Sequence, residues 1–218
     1  MKRREAGFSF IEVLVVMGII VVLMGMVAVV VPRVQERGRQ TESINNVKQL
    51  VTLLAERSIN RGWPRYDGKN FHLSLVASNQ ISAANSDNLR AFFSPGDELY
   101  KLEIAGPERF KDITIQALKA GTDFHDLSSY AGRRNSGVDQ EHLITPNKLQ
   151  IVVPVISDDD DGPVHHTGGM VIGYSNASVK FKEWAEDLGM TPPENPDMPE
   201  PFLGDEATVE ELRGLSSE

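Results

Sequence analysis

The sequence predicts an α+β fold: a long N-terminal helix, membrane-spanning in its first half and amphipathic in its second, packed on a mostly antiparallel β-sheet head. Three observations predict it. Val13 to Val31 run without a charge or a proline, apolar residues then recur at helical spacing as far as Leu54, and alternating strand-like stretches joined by short turns lie between Leu149 and Trp184.

The apolar run comes first. Its 19 residues make about 28 Å of helix at ~1.5 Å per residue, close to the ~30 Å of a bilayer's hydrocarbon core. A buried core helix in a domain of this size would keep a polar stripe. A cleaved secretory signal would have a shorter apolar region ending in a small-x-small site, whereas this run ends Ala28-Val29-Val30-Val31-Pro32. The one discordant residue is Glu12, because a carboxylate at mid-bilayer costs roughly 2.5–3.5 kcal/mol. It lies either near the membrane interface or opposite a specific positive partner.

Beyond Pro32, apolar positions at Val34, Ile44, Val47, Leu50, Val51 and Leu54 keep a 3.6-residue period with Lys, Arg, Gln and Asn between them. This reads as one helix from Phe8 to about Ile59, bent near Pro32, loosened at Gly38 and stopped by Arg61-Gly62-Trp63-Pro64. Downstream, Leu89 to Phe93 reads as a short helix and Ser94-Pro95-Gly96-Asp97 as a turn. Leu99–Ile104 and Asp112–Ile115 alternate like half-buried strands, and Ser128 to Gly137 reads as a loop. Leu149–Ile156 is the strongest strand, with Pro154 marking an edge or a bulge. Gly169–Tyr174 and Ser178–Trp184 form a hairpin across Ser175-Asn176-Ala177. Residues 191–218 carry eight acids, one base and five prolines, and read as an extended, solvated tail. The expected organisation is a basic leader at 1–7, a membrane and assembly helix at 8–31, its amphipathic continuation at 32–60, a head at 61–190 and the acidic tail at 191–218.

Composition narrows the function. With 40% hydrophobic and 24% charged residues the 218-residue chain can build a packed core. A net charge of -9 argues against nucleic acid as a partner, since phosphate binding draws on clustered cations. The absence of cysteine excludes disulfides, thiol catalysis and cysteine-based metal sites. No nucleophile elbow, phosphate loop, dinucleotide fingerprint or His-Glu-x-x-His occurs, so no enzyme is expected.

Asp158, Asp159, Asp160 and Asp161 stand together before Gly162-Pro163-Val164-His165-His166. Four adjacent carboxylates repel one another. The loop is either solvated, relieved by Ca²⁺, which takes oxygen ligands, or joined by the histidines around a transition metal. It lacks the spacing of an EF-hand.

Gly7-Phe8-Ser9-Phe10-Ile11-Glu12 after a basic leader resembles the processing site of type IV pilins and type II secretion pseudopilins. The resemblance covers residues 2–31. It implies that a prepilin peptidase cuts after Gly7 and methylates Phe8, and that Glu12, fifth in the mature chain, pairs with the ammonium of a neighbouring subunit. It implies a single-pass inner-membrane precursor with its head in the periplasm, then a filament of like subunits raised by an inner-membrane assembly platform into the periplasm or to the cell surface. Lys2, Arg3 and Arg4 favour the same orientation. Some pseudopilins carry a Ca²⁺ loop where other pilins have a disulfide. His166-Thr167-Gly168-Gly169 followed by Asn176-Ala177-Ser178-Val179 resembles the C-terminal His-x9-Asp-Gly element of a pilin-like subgroup, with Asn176 and Ala177 in place of Asp and Gly. The residue-level alternative makes His166 a structural hydrogen-bonding group within the hairpin. The alternative function is a single-span anchored periplasmic binding module, with or without bound Ca²⁺.

Overall fold

The computed structural model describes residues 9–97, 101–134, 152–158, 165–166, 168–190, 203 and 212–216. The chain divides into two compact units, residues 1–38 and 39–218.

The first unit is the start of helix α1 (Phe10–Arg61), which continues through Pro32 and Gly38 as helix. Proline removes one N–H from the helical ladder, a loss a helix of this length absorbs. The side chains of this unit from Phe10 to Met26 are exposed, with Phe10 81% and Val21 68% accessible. Among the described residues α1 alone is long and apolar enough to cross a membrane, and none of its most apolar window is buried. So much exposed hydrocarbon needs lipid or like helices around it.

The second unit is an α+β head. The rest of α1 buries Ser43, Val47, Leu50, Val51 and Leu54, one stripe at helical spacing. Gly62, at φ 73°, ends α1 in the left-handed conformation that glycine adopts without strain, its N–H donating to the Ser58 carbonyl at 3.1 Å. Short helices follow: α2 (Lys69–Ala77), α3 (Ser86–Leu89) running into a 3₁₀ turn at Arg90–Phe92, α4 (Leu102–Ala105) and α5 (Ile115–Lys119). The strands are β1 (Ala131–Arg133), β2 (Pro154–Ser157), β3 (Gly169–Tyr174), β4 (Val179–Glu183) and β5 (Leu215–Ser216). They form one antiparallel sheet in the order β4-β3-β2-β1-β5.

Strand β3 is buried on both faces. Its Val171 joins the main core with α1 and α2, while Met170, Ile172 and Tyr174 join a second cluster with Trp184, Leu188, Leu203, Leu212 and Leu215. Gly173 marks the contact with α1: a Cβ there would stand 2.5 Å from Val51 Cγ1 and 2.7 Å from Val47 Cγ1. Only glycine lets helix and sheet close to this distance.

The helix near Leu89, the turn at Ser94 to Asp97 and the β3–β4 hairpin stand as the sequence predicts. Four expectations are corrected. The stretch ending at Ile104 is no strand where described: Leu102 and Ala105 are buried three apart as a helix demands, and Ile104 is 67% exposed. Asp112–Ile115 is no strand because Thr114 caps α5, its Oγ1 accepting the Ala117 N–H at 3.1 Å. The expected loop at Ser128 to Gly137 contains β1, with Ser128 Oγ donating to the Phe92 carbonyl inside the core at 3.0 Å. The tail is not solvated at its end: β5 pairs with β1, and Leu203, Leu212 and Leu215 are buried. Most of 191–211 lies outside the described residues, as do Leu99, Tyr100 and 149–151. Pro154 sits in a central strand, and the register shift between it and Ile156 identifies the bulge rather than the edge.

The hairpin turn is of a different kind from an Asp-Gly turn. The Ala177 N–H donates to the Tyr174 carbonyl at 2.9 Å and the Tyr174 N–H to the Ser178 carbonyl at 2.9 Å, while Ala177 has φ 61°. This is a three-residue loop whose last residue is left-handed, a position that suits glycine. Asn176 Oδ1 braces it by accepting the Ser178 N–H at 3.0 Å. Ala177→Gly should raise the unfolding free energy by about 0.5–1 kcal/mol, since the left-handed conformation costs a residue with a Cβ about 1–2 kcal/mol and some methyl packing is lost. A chemical denaturation midpoint that falls would show that the packing of this methyl outweighs the strain.

Candidate functional site

The N-terminal site begins with the start of α1. Ser9 precedes the first helical residue and Glu12 stands three residues on. Glu12 Oε2 accepts the Ser9 N–H at 2.8 Å, and the Ser9 carbonyl accepts the Val13 N–H at 3.3 Å. This is the carboxylate half of a capping box, which satisfies a backbone donor otherwise left open at a helix N-terminus. The negative charge also lies at the positive end of the helix dipole. The Ser-x-x-Glu spacing could have disclosed this role, which the sequence reading missed. Glu12 is therefore folded back onto the start of α1, against the Ser9 N–H. Gly7 and Phe8 lie outside the described residues.

The second candidate, the acidic segment with the histidines, is partly described. Asp158, at the end of β2, turns into the protein. Its Oδ1 accepts the Val171 N–H at 2.6 Å and its Oδ2 lies 3.0 Å from His166 Nε2. Both side chains are fully buried. The His166 ring meets Phe181 edge-on and its carbonyl faces Trp184 Nε1 at 3.4 Å. A parallel pair, absent from the sequence reading, joins His165 Nε2 to Asp97 Oδ2 at 3.4 Å, again inside the protein. A Cβ on Gly96 would come within 2.2 Å of the His165 carbonyl oxygen, so the Ser94–Asp97 turn is pressed onto this segment. His166 thus faces Asp158, whereas Asn176 belongs to the hairpin turn. Asp159, Asp160 and Asp161 lie outside the described residues, and among those described no three metal-ligating side chains converge.

Among the described residues a serine–histidine pair lies in the head. His72 Nε2 and Ser128 Oγ are 2.8 Å apart, the spacing of a nucleophile and its base. Both are fully buried, and Ser128 is committed to the Phe92 carbonyl and the Tyr130 N–H. Burial and the nearby Lys69 ammonium lower the His72 pKa to about 3, so the ring is neutral at pH 7. No substrate reaches this pair, and its role is to satisfy polar groups in the core. Arg133 is a further buried polar group that the sequence reading missed. Burial lowers it to about 10, and its guanidinium lies against Gly214, where a Cβ would meet Nη1 at 1.9 Å.

The comparisons bear on the N-terminal site. Residues 2–28 match the prokaryotic N-terminal methylation motif. It is the signal carried by type IV pilins and pseudopilins. The methylation motif thus covers the basic leader, the Gly7-Phe8 junction, Glu12 and most of the exposed apolar length of α1. No curated protein and no solved structure matches the chain. The motif and the apolar helix together fit a membrane-anchored, pilin-like precursor.

Proposed function

We propose that the chain is a structural subunit, prepilin or pseudopilin, of a type IV pilus-like or type II secretion filament. A prepilin peptidase cuts between Gly7 and Phe8 and methylates the new N-terminus. The precursor spans the inner membrane once with its head in the periplasm. An assembly platform then moves it into a filament of like subunits, where the helix packs against copies of itself or other pilins. The observation that carries this reading is the methylation motif over residues 2–28 on a helix whose apolar side chains are exposed.

Glu12 gives the assembly its chemistry. Cleavage creates an ammonium on Phe8, four residues before Glu12. Each charge alone is costly in a hydrocarbon bundle; across an interface they neutralise one another and fix the register of neighbouring helices. The capping geometry presents the carboxylate at the helix start, with one oxygen on the Ser9 N–H and the other able to accept a neighbour's ammonium.

The test is the mass of the mature chain. Wild type should yield an N-methylated Phe8 terminus. Gly7→Val should accumulate uncut precursor, because a branched side chain crowds the scissile bond. Mature-sized protein from Gly7→Val, or an intact Met1 terminus in wild type, would sink the reading.

A further inference from the structure

The head carries a second feature that filament assembly through α1 does not use. At the C-terminal end of α1, the loop that follows it and α5 line an open cavity of about 570 Å³. Arg57, Arg61, Arg65 and Lys119 line it, with Trp63 and Tyr66 between them. Asp67 is the one carboxylate in the lining. Among the described residues none forms an ion pair with Arg61, Arg65 or Lys119. Arg57 is held by the Gly62 carbonyl at 2.6 Å, and its buried Nε lacks a hydrogen-bond partner. Gathering four cations in one cavity of a chain with net charge -9 raises their mutual repulsion, which an anionic occupant relieves. Guanidinium groups suit carboxylates, which they grip with two parallel N–H donors. Aromatic walls suit proline-bearing peptides.

The sequence contains a segment with both chemistries. Residues 191–201 read Thr-Pro-Pro-Glu-Asn-Pro-Asp-Met-Pro-Glu-Pro. Glu194, Asp197 and Glu200 recur every third residue, and so do Pro193, Pro196 and Pro199. A polyproline II helix has three residues per turn and a rise of about 3.1 Å. In that conformation the three carboxylates align on one edge, roughly 9 Å apart, and the three prolines on the next. One edge offers acids to the arginines while its neighbour offers pyrrolidine rings to Trp63 and Tyr66. In the same chain the flanking Met190 and Leu203 both pack in the second cluster, with Trp184 and Leu215, whereas the cavity is built around the end of α1 and α5.

We propose that this cavity is a docking site for the acidic, proline-bearing segment 191–201 of a second copy of the chain. It rests on the filament reading only in supplying a further contact between subunits.

The experiment uses the full chain in a non-ionic detergent, with self-association followed by sedimentation as NaCl is raised. Wild type should associate at low salt and at least tenfold more weakly at 0.5 M NaCl, as expected for charge pairing. Arg65→Glu with Lys119→Glu should abolish the salt-sensitive association, and so should Glu194→Gln with Asp197→Asn and Glu200→Gln. Arg65 and Lys119 are exposed, and unchanged melting curves check that each variant is folded. Mixing the two variants should restore a complex, since each supplies the half that the other lacks. Wild type without salt-sensitive association, or association retained in either variant, would overturn the proposal. Normal cleavage at Gly7 beside such a result would leave the filament reading intact and remove this one alone.

Discussion

Glu12→Val should leave the precursor inserted in the membrane and cleaved at Gly7 while sheared filaments all but disappear. Insertion is favoured by a more apolar segment, and the junction Gly7-Phe8 is untouched. Assembly suffers because removing one member of a buried charge pair typically costs ~3–5 kcal/mol, the other charge being left uncompensated. A loss of that size per interface is roughly a hundredfold to several-thousandfold in association. Glu12 also caps α1 through the Ser9 N–H, so valine removes two interactions. Glu12→Gln separates them, because its amide oxygen can still accept that N–H but carries no charge. Charge pairing predicts that Gln fails almost as badly as Val. Normal filament yield from Gln with failure from Val would assign Glu12 to helix capping alone. Normal yield from both would remove Glu12 from assembly altogether.

His72 should make the head acid-sensitive. Its pKa is about 3 in the folded protein, lowered by burial and then by Lys69, against ~6.5 in an unfolded chain. Below pH 6.5 the unfolded state takes up a proton that the folded state refuses. The stability contributed by the neutral ring is therefore complete above pH 6.5 and is lost progressively as pH falls toward 3. At ~1.36 kcal/mol per unit, the loss reaches about 3 kcal/mol at pH 4 and about 4 kcal/mol at pH 3, where the folded ring is itself half protonated. Other carboxylates and histidines titrate over the same range, so the informative quantity is a difference. His72→Gln does not titrate and can still reach Ser128 Oγ. Urea midpoints of the two proteins should converge as pH drops from 7 to 4, even if the variant is the less stable at neutrality. Parallel pH profiles would mean that the imidazole becomes charged without leaving its place.

The parts of the fold legible in the sequence are those with a sustained period. The stripe Val47, Leu50, Val51 and Leu54 repeats often enough to specify a helix face, and Gly62 marks its end. The β3–β4 hairpin was legible because two strand-like runs are separated by too few residues for anything else. The middle of the chain was not, since four-residue alternations fit a strand and a helical turn equally well, and Thr114 capping decides between them at α5. Helix α2 is not legible although Phe71 and Leu75 stand one turn apart, because its buried His72 and Ser74 break the apolar pattern. Strand β5 is two residues long and follows an acidic, proline-rich stretch, so only the tertiary contact with β1 reveals it. At the site, Glu12 was conspicuous as a lone charge in an apolar run. Its capping bond and the pairing of Asp97 with His165 were not anticipated, the second because those residues are far apart in sequence.

The borders of the sheet bear on how such a subunit stays monodisperse before it is used. A border strand offers unpaired N–H and C=O groups to any passing strand, and long flat borders template aggregation. Among the described residues one border is β5, which has two residues. The other is β4, Val179-Lys180-Phe181-Lys182-Glu183, where Lys180 separates the two apolar residues and Lys182 and Glu183 follow them. Brevity protects the first and charge the second. In the proposed filament subunit, a sheet able to stack on its own would compete with assembly through α1. Brevity and charge at these borders disfavour strand-to-strand fibres of the head.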